Sequence, residues 1–202
     1  MRALLALLLA ALLGGCLSAG KRGGEAGMTV HDLGPPPARL ADDGAPRINL
    51  AIEVRAPLWM DGLGINYRLS YADASQLREY ARSRWAGPPA RMIEQRLTQR
   101  LGRASSGAAR SRCALRLELA EFSQIFASPQ DSIGLLQGQA LWLGPNRQPL
   151  AERPLSISSP ATTPDARGGV AALRESIERL ADELLAWEQT LLASGQAAPC
   201  VE

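Results

Sequence analysis

The C-terminal third of the chain contains a long segment with helical periodicity, and it constrains the fold more than any other segment. Apolar side chains recur every three or four residues from Val170 to Leu191, and charged side chains occupy the positions between them. Before this segment, Thr163 offers a helix cap, Pro164 a first-turn proline and Asp165 an early carboxylate. We expect the apolar stripe to cover a β-sheet; a coiled-coil seam with a partner is the alternative.

Segments with period-two alternation, typical of half-buried strands, surround a second and shorter helical segment. This helix is expected to begin at Pro88 and Pro89, and Gly102 is positioned to end it. The order βββαβββα predicts an α+β domain, with two helices packed on a mixed or largely antiparallel sheet. The predicted strands are residues 48–55, 65–71, 77–85, 115–126, 133–143 and 149–158.

Two of the predicted strands need comment. Residues 77–85 fit helical spacing as well as alternation, and we interpret them as the hairpin partner of the preceding strand. Pro154 has no backbone N–H group, so the last strand is expected to lie at a sheet edge or to contain a bulge.

The N-terminus has the pattern of an export signal. Residues 3–13 are apolar but too few to cross a hydrocarbon core of about 30 Å. The run Leu13-Gly14-Gly15-Cys16 resembles the lipobox of bacterial lipoproteins. We predict that residues 1–15 are removed and that Cys16 carries diacylglycerol and a fatty acyl chain such as palmitate, with no other cofactor. An ordinary secreted protein that is cleaved elsewhere is the alternative.

Composition then divides the rest of the chain. Residues 16–46 are rich in Gly, Ala and Pro and are predicted to form a flexible tether. Residues 47–194 are assigned to the α+β domain, and residues 195–202 to a C-terminal tail. Cys113 and Cys200 are a candidate disulfide in an oxidising compartment. One buried thiol and one free thiol in the tail are the alternative.

The sequence predicts neither catalysis nor metal binding. The sole histidine, His31, lies in the predicted tether, and three scattered cysteines offer no metal-ligand spacing. The net charge of +2, with both signs mixed along the chain, does not favour nucleic acid as a partner. We therefore expect a binding or assembly protein and not an enzyme.

Most of the few aromatic side chains are concentrated between residues 59 and 85. This concentration is typical either of a core anchor or of an interface hot spot, where Trp, Tyr and Arg are enriched. The candidate partner-binding residues are Trp59, Tyr80, Arg84 and Trp85. Core packing remains the alternative for Trp85, and Arg84 is the most suitable for a surface contact.

Several stretches resemble a known family. They read EVRAPLWMDGLGINYRLSYAD, YARSRWAGPPARMIEQRL, LAEFSQIFASPQDS and TPDARGGVAALRESIERLADELLAW. In order and spacing they resemble the ABC-type transport auxiliary lipoproteins, the PqiC-like family, over residues 30–187. His31 departs from the family pattern, in which a tyrosine is expected at this position.

The resemblance implies a periplasmic partner of an ABC transporter that contains an MCE (mammalian cell entry) domain. Such systems combine a permease, an ATPase and an MCE protein to move lipids between the inner and outer membranes. It also implies anchoring at the outer membrane, facing the periplasm, and a homo-oligomeric ring is one implied assembly. Leu17 fits outer-membrane sorting, because aspartate at this position would signal retention at the inner membrane. The alternatives are a periplasmic lipid carrier and a structural envelope lipoprotein that binds peptidoglycan or its synthases.

Overall fold

The computed structural model describes residues 27–35, 38–40, 50–105 and 111–201. The predicted signal peptide, Cys16 and most of the predicted tether lie outside these residues. The α+β prediction is confirmed, and the six predicted strands and two predicted helices occur in the predicted order. In the part of the chain that is described, no helix is both long and apolar enough to cross a membrane.

Eight strands of the described residues form one mixed sheet. The strands are β1 (Thr29–His31), β2 (Leu50–Arg55), β3 (Gly64–Leu69), β4 (Ala74–Trp85), β5 (Ala104–Ser105), β6 (Cys113–Phe126), β7 (Ser132–Leu143) and β8 (Pro149–Pro160). The helices are α1 (Ser70–Asp73), α2 (Pro89–Leu101) and α3 (Ala166–Ala193), and short 3-10 turns occur at Leu58–Met60 and Ala198–Cys200.

Strand β6 is the centre of the sheet. On one side it pairs antiparallel with β7, and β7 pairs with β8, which forms an edge as Pro154 predicts. On its other side β6 pairs in parallel with two strands in succession, β2 along its first half and β3 along its last residues. Beyond β2 lies β5, and beyond β3 lie β4 and then β1. The sheet therefore has two branches on this side.

The two long helices cover one face of the sheet. Helix α3 packs on β6, β7 and β8, and α2 packs on β2 and against α3. Leu117, Leu173 and Ile177 are fully buried between the two layers. A Cβ at Gly134 would lie 2.5 Å from the backbone nitrogen of Leu173, so glycine allows α3 to approach β7 closely. The apolar stripe of α3 thus packs on the sheet, as expected.

Helix α2 begins and ends where the sequence predicts, whereas α3 is capped by Asp165, two residues after the expected cap Thr163. Helix α2 has Pro89 in its first turn and ends at Gly102, whose φ of 64° is the left-handed conformation that suits glycine. Asp165 caps α3 by accepting a hydrogen bond from the backbone nitrogen of Gly168 at 2.8 Å. This hydrogen bond lowers the pKa of the Asp165 carboxyl group.

The N-terminal limit of the folded domain is earlier than predicted. Thr29–His31, inside the predicted tether, pairs in parallel with β4, and the nitrogen of Ala86 donates to the His31 carbonyl oxygen at 2.7 Å. Leu33 is buried, and Arg96 donates from Nη1 to the carbonyl oxygen of Pro35 at 2.8 Å. The boundary at residue 47 and the placing of His31 on a solvated tether are therefore wrong. A three-residue strand carries no period, and its partner lies more than 50 residues away.

The C-terminal segment also packs against the domain. Cys113 and Cys200 form a disulfide, with an S–S distance of 2.01 Å. The Cys200 sulfur accepts a hydrogen bond from the indole nitrogen of Trp142 at 3.4 Å, and Ala197 is fully buried. The separation of residues 195–202 as a tail is therefore wrong for its described part, because the disulfide holds this segment in the core.

Candidate functional site

The structure separates the four candidate partner-binding residues. Trp85, the last residue of β4, is only 1% exposed, and its ring centroid lies 5.8 Å from that of Phe122. It is a core residue, so the prediction that it contacts a partner is wrong and the alternative, core packing, holds. The sequence could not show this, because Trp85 ends a strand whose other side chains are exposed or half-buried.

Tyr80 directs its hydroxyl group into the protein. It donates to Oε1 of Gln124 at 2.8 Å, and Nε2 of Gln124 donates to Oγ of Ser132 at 2.8 Å. The ring of Tyr67 lies 4.6 Å from that of Tyr80. Burial raises the pKa of the Tyr80 phenol above its usual value. The polar end of Tyr80 is therefore engaged inside the domain, and only the side of its ring is available to a partner.

Gln124 is a structural residue that the sequence analysis missed. It is fully buried on β6, between Tyr80 and Ser132. A Cβ at Gly169 would lie 2.1 Å from the Gln124 side-chain oxygen, so α3 begins in direct contact with this amide. The signal in the sequence is an amide at an inward position of an alternating strand, which requires internal hydrogen-bond partners.

Arg84 lies on the surface at the end of β4. It is in register with Val30 of β1 and with Gly64 of β3. The side chain is exposed, and it forms no ion pair or hydrogen bond with the residues that the structure describes. Arg84 is therefore available for an outside partner, as the sequence analysis expected of a surface contact.

Arg84 borders a shallow surface depression of about 300 Å³, here called the β4 groove. Glu79 crosses it, because a Cβ at Gly64 would lie 2.3 Å from the Glu79 carboxyl carbon. The groove therefore offers a cation, an anion and apolar side chains within one small surface. Its lining residues are Met28, Leu63, Gly64, Glu79, Tyr80, Ala81, Ser83 and Arg84.

Trp59 lies outside the β4 groove, on the loop of residues 57–63, here called the Leu58 loop. Leu58 is 87% exposed, Trp59 43% and Leu63 39%. Met60 points inward and is only 2% exposed, so it holds the loop to the core. The sequence analysis recognised Trp59 but missed Leu58 and Leu63, since an apolar residue in a loop is ordinarily assigned to the core.

Several charged side chains of the described residues form ion pairs, but none of the described clusters is a metal site. No group of three His, Cys, Asp or Glu residues in the described ranges could hold a metal ion. Glu53 accepts from Arg116 at 3.1 Å and also pairs with Arg147. These two arginines lower the pKa of Glu53 against the opposing effect of its burial.

Comparison with known proteins identifies the class. A family model described as ABC-type transport auxiliary lipoprotein component matches residues 31–184, which is well over half of the chain. The chain belongs to this family, so it is a member of a class of membrane-associated lipoproteins that serve ABC-type transport. No curated protein matches the chain.

Solved structures support the fold. The crystal structure of XCC0632 from Xanthomonas campestris, assigned to the DUF330 family, is similar with a TM-score of 0.66 and 20% identity. It covers 83% of this chain and 97% of that one. The crystal structure of an uncharacterized protein is similar with a TM-score of 0.61 and 16% identity, over 78% of this chain and 96% of that one. At these identities the likeness shows the fold alone.

Proposed function

We propose that this protein is a non-catalytic auxiliary lipoprotein of an MCE-type ABC transporter that moves lipids between the inner and outer membranes. The family match over residues 31–184 carries this proposal. The lipobox-like run that ends at Cys16 supports a covalent lipid anchor, and Leu17 supports sorting to the outer membrane. In this role the domain bridges the transporter to the outer membrane by binding.

The β4 groove is the proposed docking surface for the transporter. Arg84 and Glu79 give it charges of both signs, which favour one orientation of a charged partner. Met28, Leu63 and the ring of Tyr80 supply apolar contact area beside these charges. Arginine and tyrosine are also enriched among residues that dominate binding energy. Arg84 is therefore the residue expected to contribute most to docking.

An affinity purification of the lipidated protein from detergent-solubilised envelopes tests the function. Recovery of an MCE protein together with its permease and ATPase would support the proposal. Recovery of peptidoglycan synthases alone would support a structural envelope role. Recovery of phospholipid without any transporter subunit would support a lipid carrier.

Charge reversal at Arg84 tests the docking surface. We expect Arg84→Glu to reduce recovery of the MCE protein at least tenfold, with an unchanged thermal midpoint, because Arg84 makes no internal ion pair among the described residues. Arg82→Glu is the matched control: it makes the same charge change on an exposed residue of β4 that does not line the groove. Equal losses for both variants would show a net-charge effect, and normal recovery with Arg84→Glu would contradict the assignment.

A further inference from the structure

The large apolar side chains that the described residues expose are concentrated around β1 and the Leu58 loop. Six such side chains are exposed, and five of them lie on β1, on the residue before it, or on the Leu58 loop. These five are Met28, Val30, Leu58, Trp59 and Leu63. β1 and the end of the loop lie on either side of β4 at the same level, because Val30 and Gly64 are both in register with Arg84.

The Leu58 loop is ordered while its apolar side chains face outward. The nitrogen of Met60 donates to the Pro57 carbonyl oxygen at 2.9 Å, and the nitrogen of Asp61 donates to the Leu58 carbonyl oxygen at 3.1 Å. The loop is closed by a hydrogen bond of 2.7 Å from the nitrogen of Trp85 to the Leu63 carbonyl oxygen. Leu58 and Trp59 are therefore presented by a preformed turn. Burying them in a partner costs little conformational entropy.

The proposed lipid anchor, Cys16, lies close in sequence to Met28, one of these exposed apolar residues. Cys16 is twelve residues before Met28, and a fully extended chain of that length spans about 40 Å at most. Met28 lines the same groove as Leu63, the last residue of the Leu58 loop. A lipid on Cys16 thus keeps the loop within about one domain diameter of a bilayer.

The charges beside the loop suit a phospholipid surface. Arg55 and Arg91 line a depression next to the loop together with Asp61, and their side chains are 61% and 76% exposed. Each arginine pairs at 3.8 Å with a glutamate that shares this depression, Arg55 with Glu53 and Arg91 with Glu94, but these glutamates are only 13% and 9% exposed. The accessible cations therefore outnumber Asp61, the one exposed acid there. Arginine attracts anionic headgroups, and tryptophan favours the membrane interface.

We propose that the Leu58 loop inserts Leu58 and Trp59 into the interface of the membrane that holds the lipid anchor. This inference rests on the proposed lipidation of Cys16. The inserted loop would fix the orientation of the domain on the bilayer. The β4 groove, which begins at Leu63, would then open beside the membrane surface and leave Arg84 accessible to the transporter.

Quenching of tryptophan fluorescence by brominated lipid tests this contact. The full-length lipoprotein, purified from envelopes, is reconstituted into vesicles of phosphatidylethanolamine and phosphatidylglycerol, with or without brominated phosphatidylcholine. Flotation of the vesicles first shows whether the protein is anchored. We expect brominated lipid to quench the fluorescence of the wild-type protein. We expect Trp59→Phe to remove at least three quarters of this quenching.

Two controls match this experiment. Trp187→Phe removes a half-buried tryptophan on α3, whose ring packs edge-on against Trp142, and should leave the quenching unchanged. Leu58→Glu should reduce the quenching of Trp59 at least twofold. Tyr71→Glu should not, because Tyr71 is 49% exposed but lies on α1, beyond the end of β3 that is farther from the loop. All four positions are at least partly accessible, so circular dichroism should show folded variants.

The outcomes separate the two proposals. A protein that floats and loses its quenching only with the Trp59 and Leu58 variants supports the inference. A protein that floats without quenching, or with equal quenching in Trp59→Phe, overturns it and leaves the anchor intact; a protein partner would then be the occupant of the loop. A protein that does not float overturns both the anchor and the insertion.

Discussion

Strands β4 and β6 are of similar length and were both predicted from alternation, yet they have opposite environments. In β6, nine of fourteen residues are buried, and in β4 only Trp85 of twelve is buried. The difference arises because β6 lies at the centre of the sheet beneath α3, whereas β4 has only the three-residue β1 on its outer side. The domain thus has a helix-covered half that stabilises the fold. Its other part, β1, β4 and the Leu58 loop, is here called the open arm, and it exposes side chains to solvent.

The boundary between these two regions lies within single elements. Trp85 is in the core, while Arg84, its neighbour in the chain, is on the surface. Met60 is buried, while Trp59 beside it is 43% exposed. Each exposed candidate is therefore positioned by a buried neighbour. Stability and binding should respond separately to substitutions of adjacent residues.

Substitution of Trp85 is expected to have the largest effect on stability. Trp85→Ala should reduce the free energy of unfolding by about 3–5 kcal/mol, because a buried aromatic side chain is lost and a cavity remains. Trp59→Ala, the matched control, should change it by no more than about 0.5 kcal/mol. Urea denaturation measures both. Similar losses of stability in the two variants would contradict the distinction between the core and the open arm.

Removal of the disulfide is the next largest effect. Replacing Cys113 and Cys200 together by Ala should cost about 2–4 kcal/mol, because the bond closes a loop with a sequence separation of 87. The disulfide belongs to the helix-covered half, so recovery of the transporter should stay normal below the unfolding transition. A folded double variant that fails to bind would show that the C-terminal segment also takes part in docking.

A smaller loss of stability is expected from substitution of Tyr80, whose side chain joins the open arm to the core. Tyr80→Phe leaves the buried Oε1 of Gln124 without the hydroxyl donor, and should cost about 1–2 kcal/mol. Thermal denaturation near pH 7 measures this loss. Tyr71→Phe is the control, because Tyr71 is half exposed and makes no hydrogen bond from its hydroxyl group to a described residue. An unchanged midpoint for Tyr80→Phe would show that the hydroxyl group does not join the two regions.

The same residue predicts a dependence on alkaline pH. The pKa of Tyr80 is raised in the folded protein above the ordinary value of 10.0, so the folded state keeps a proton that the unfolded state releases. The contribution of the Tyr80 phenol to the free energy of unfolding is constant below pH 10 and is lost as the pH rises above 10. The wild type should therefore lose stability more steeply than Tyr80→Phe in this range. Parallel slopes in urea denaturation between pH 9 and 11 would contradict the assignment.

Local patterns predicted most of the fold. The two long helices, the end of α2 at Gly102 and the six main strands follow from periodicity and end signals that lie within each segment, although the cap of α3 is Asp165 and not Thr163. β1 was missed, because three residues carry no period. The Cys113–Cys200 disulfide was offered and is confirmed, but the segment that it holds in the core was assigned to a tail. Of the candidate site, the sequence identified the exposed Arg84 and Trp59 and favoured Arg84 for a surface contact, but it did not distinguish Trp59 from the buried Trp85.

The spacing of apolar side chains along the chain is enough to predict which segments form helices and strands and to favour one long helix that covers a sheet. Which aromatic side chains face inward, where the sheet divides into two branches, and which surface exposes Leu58 and Trp59 follow only from the folded arrangement. These features depend on pairing between residues that are distant in sequence. No period within a single segment records such pairing.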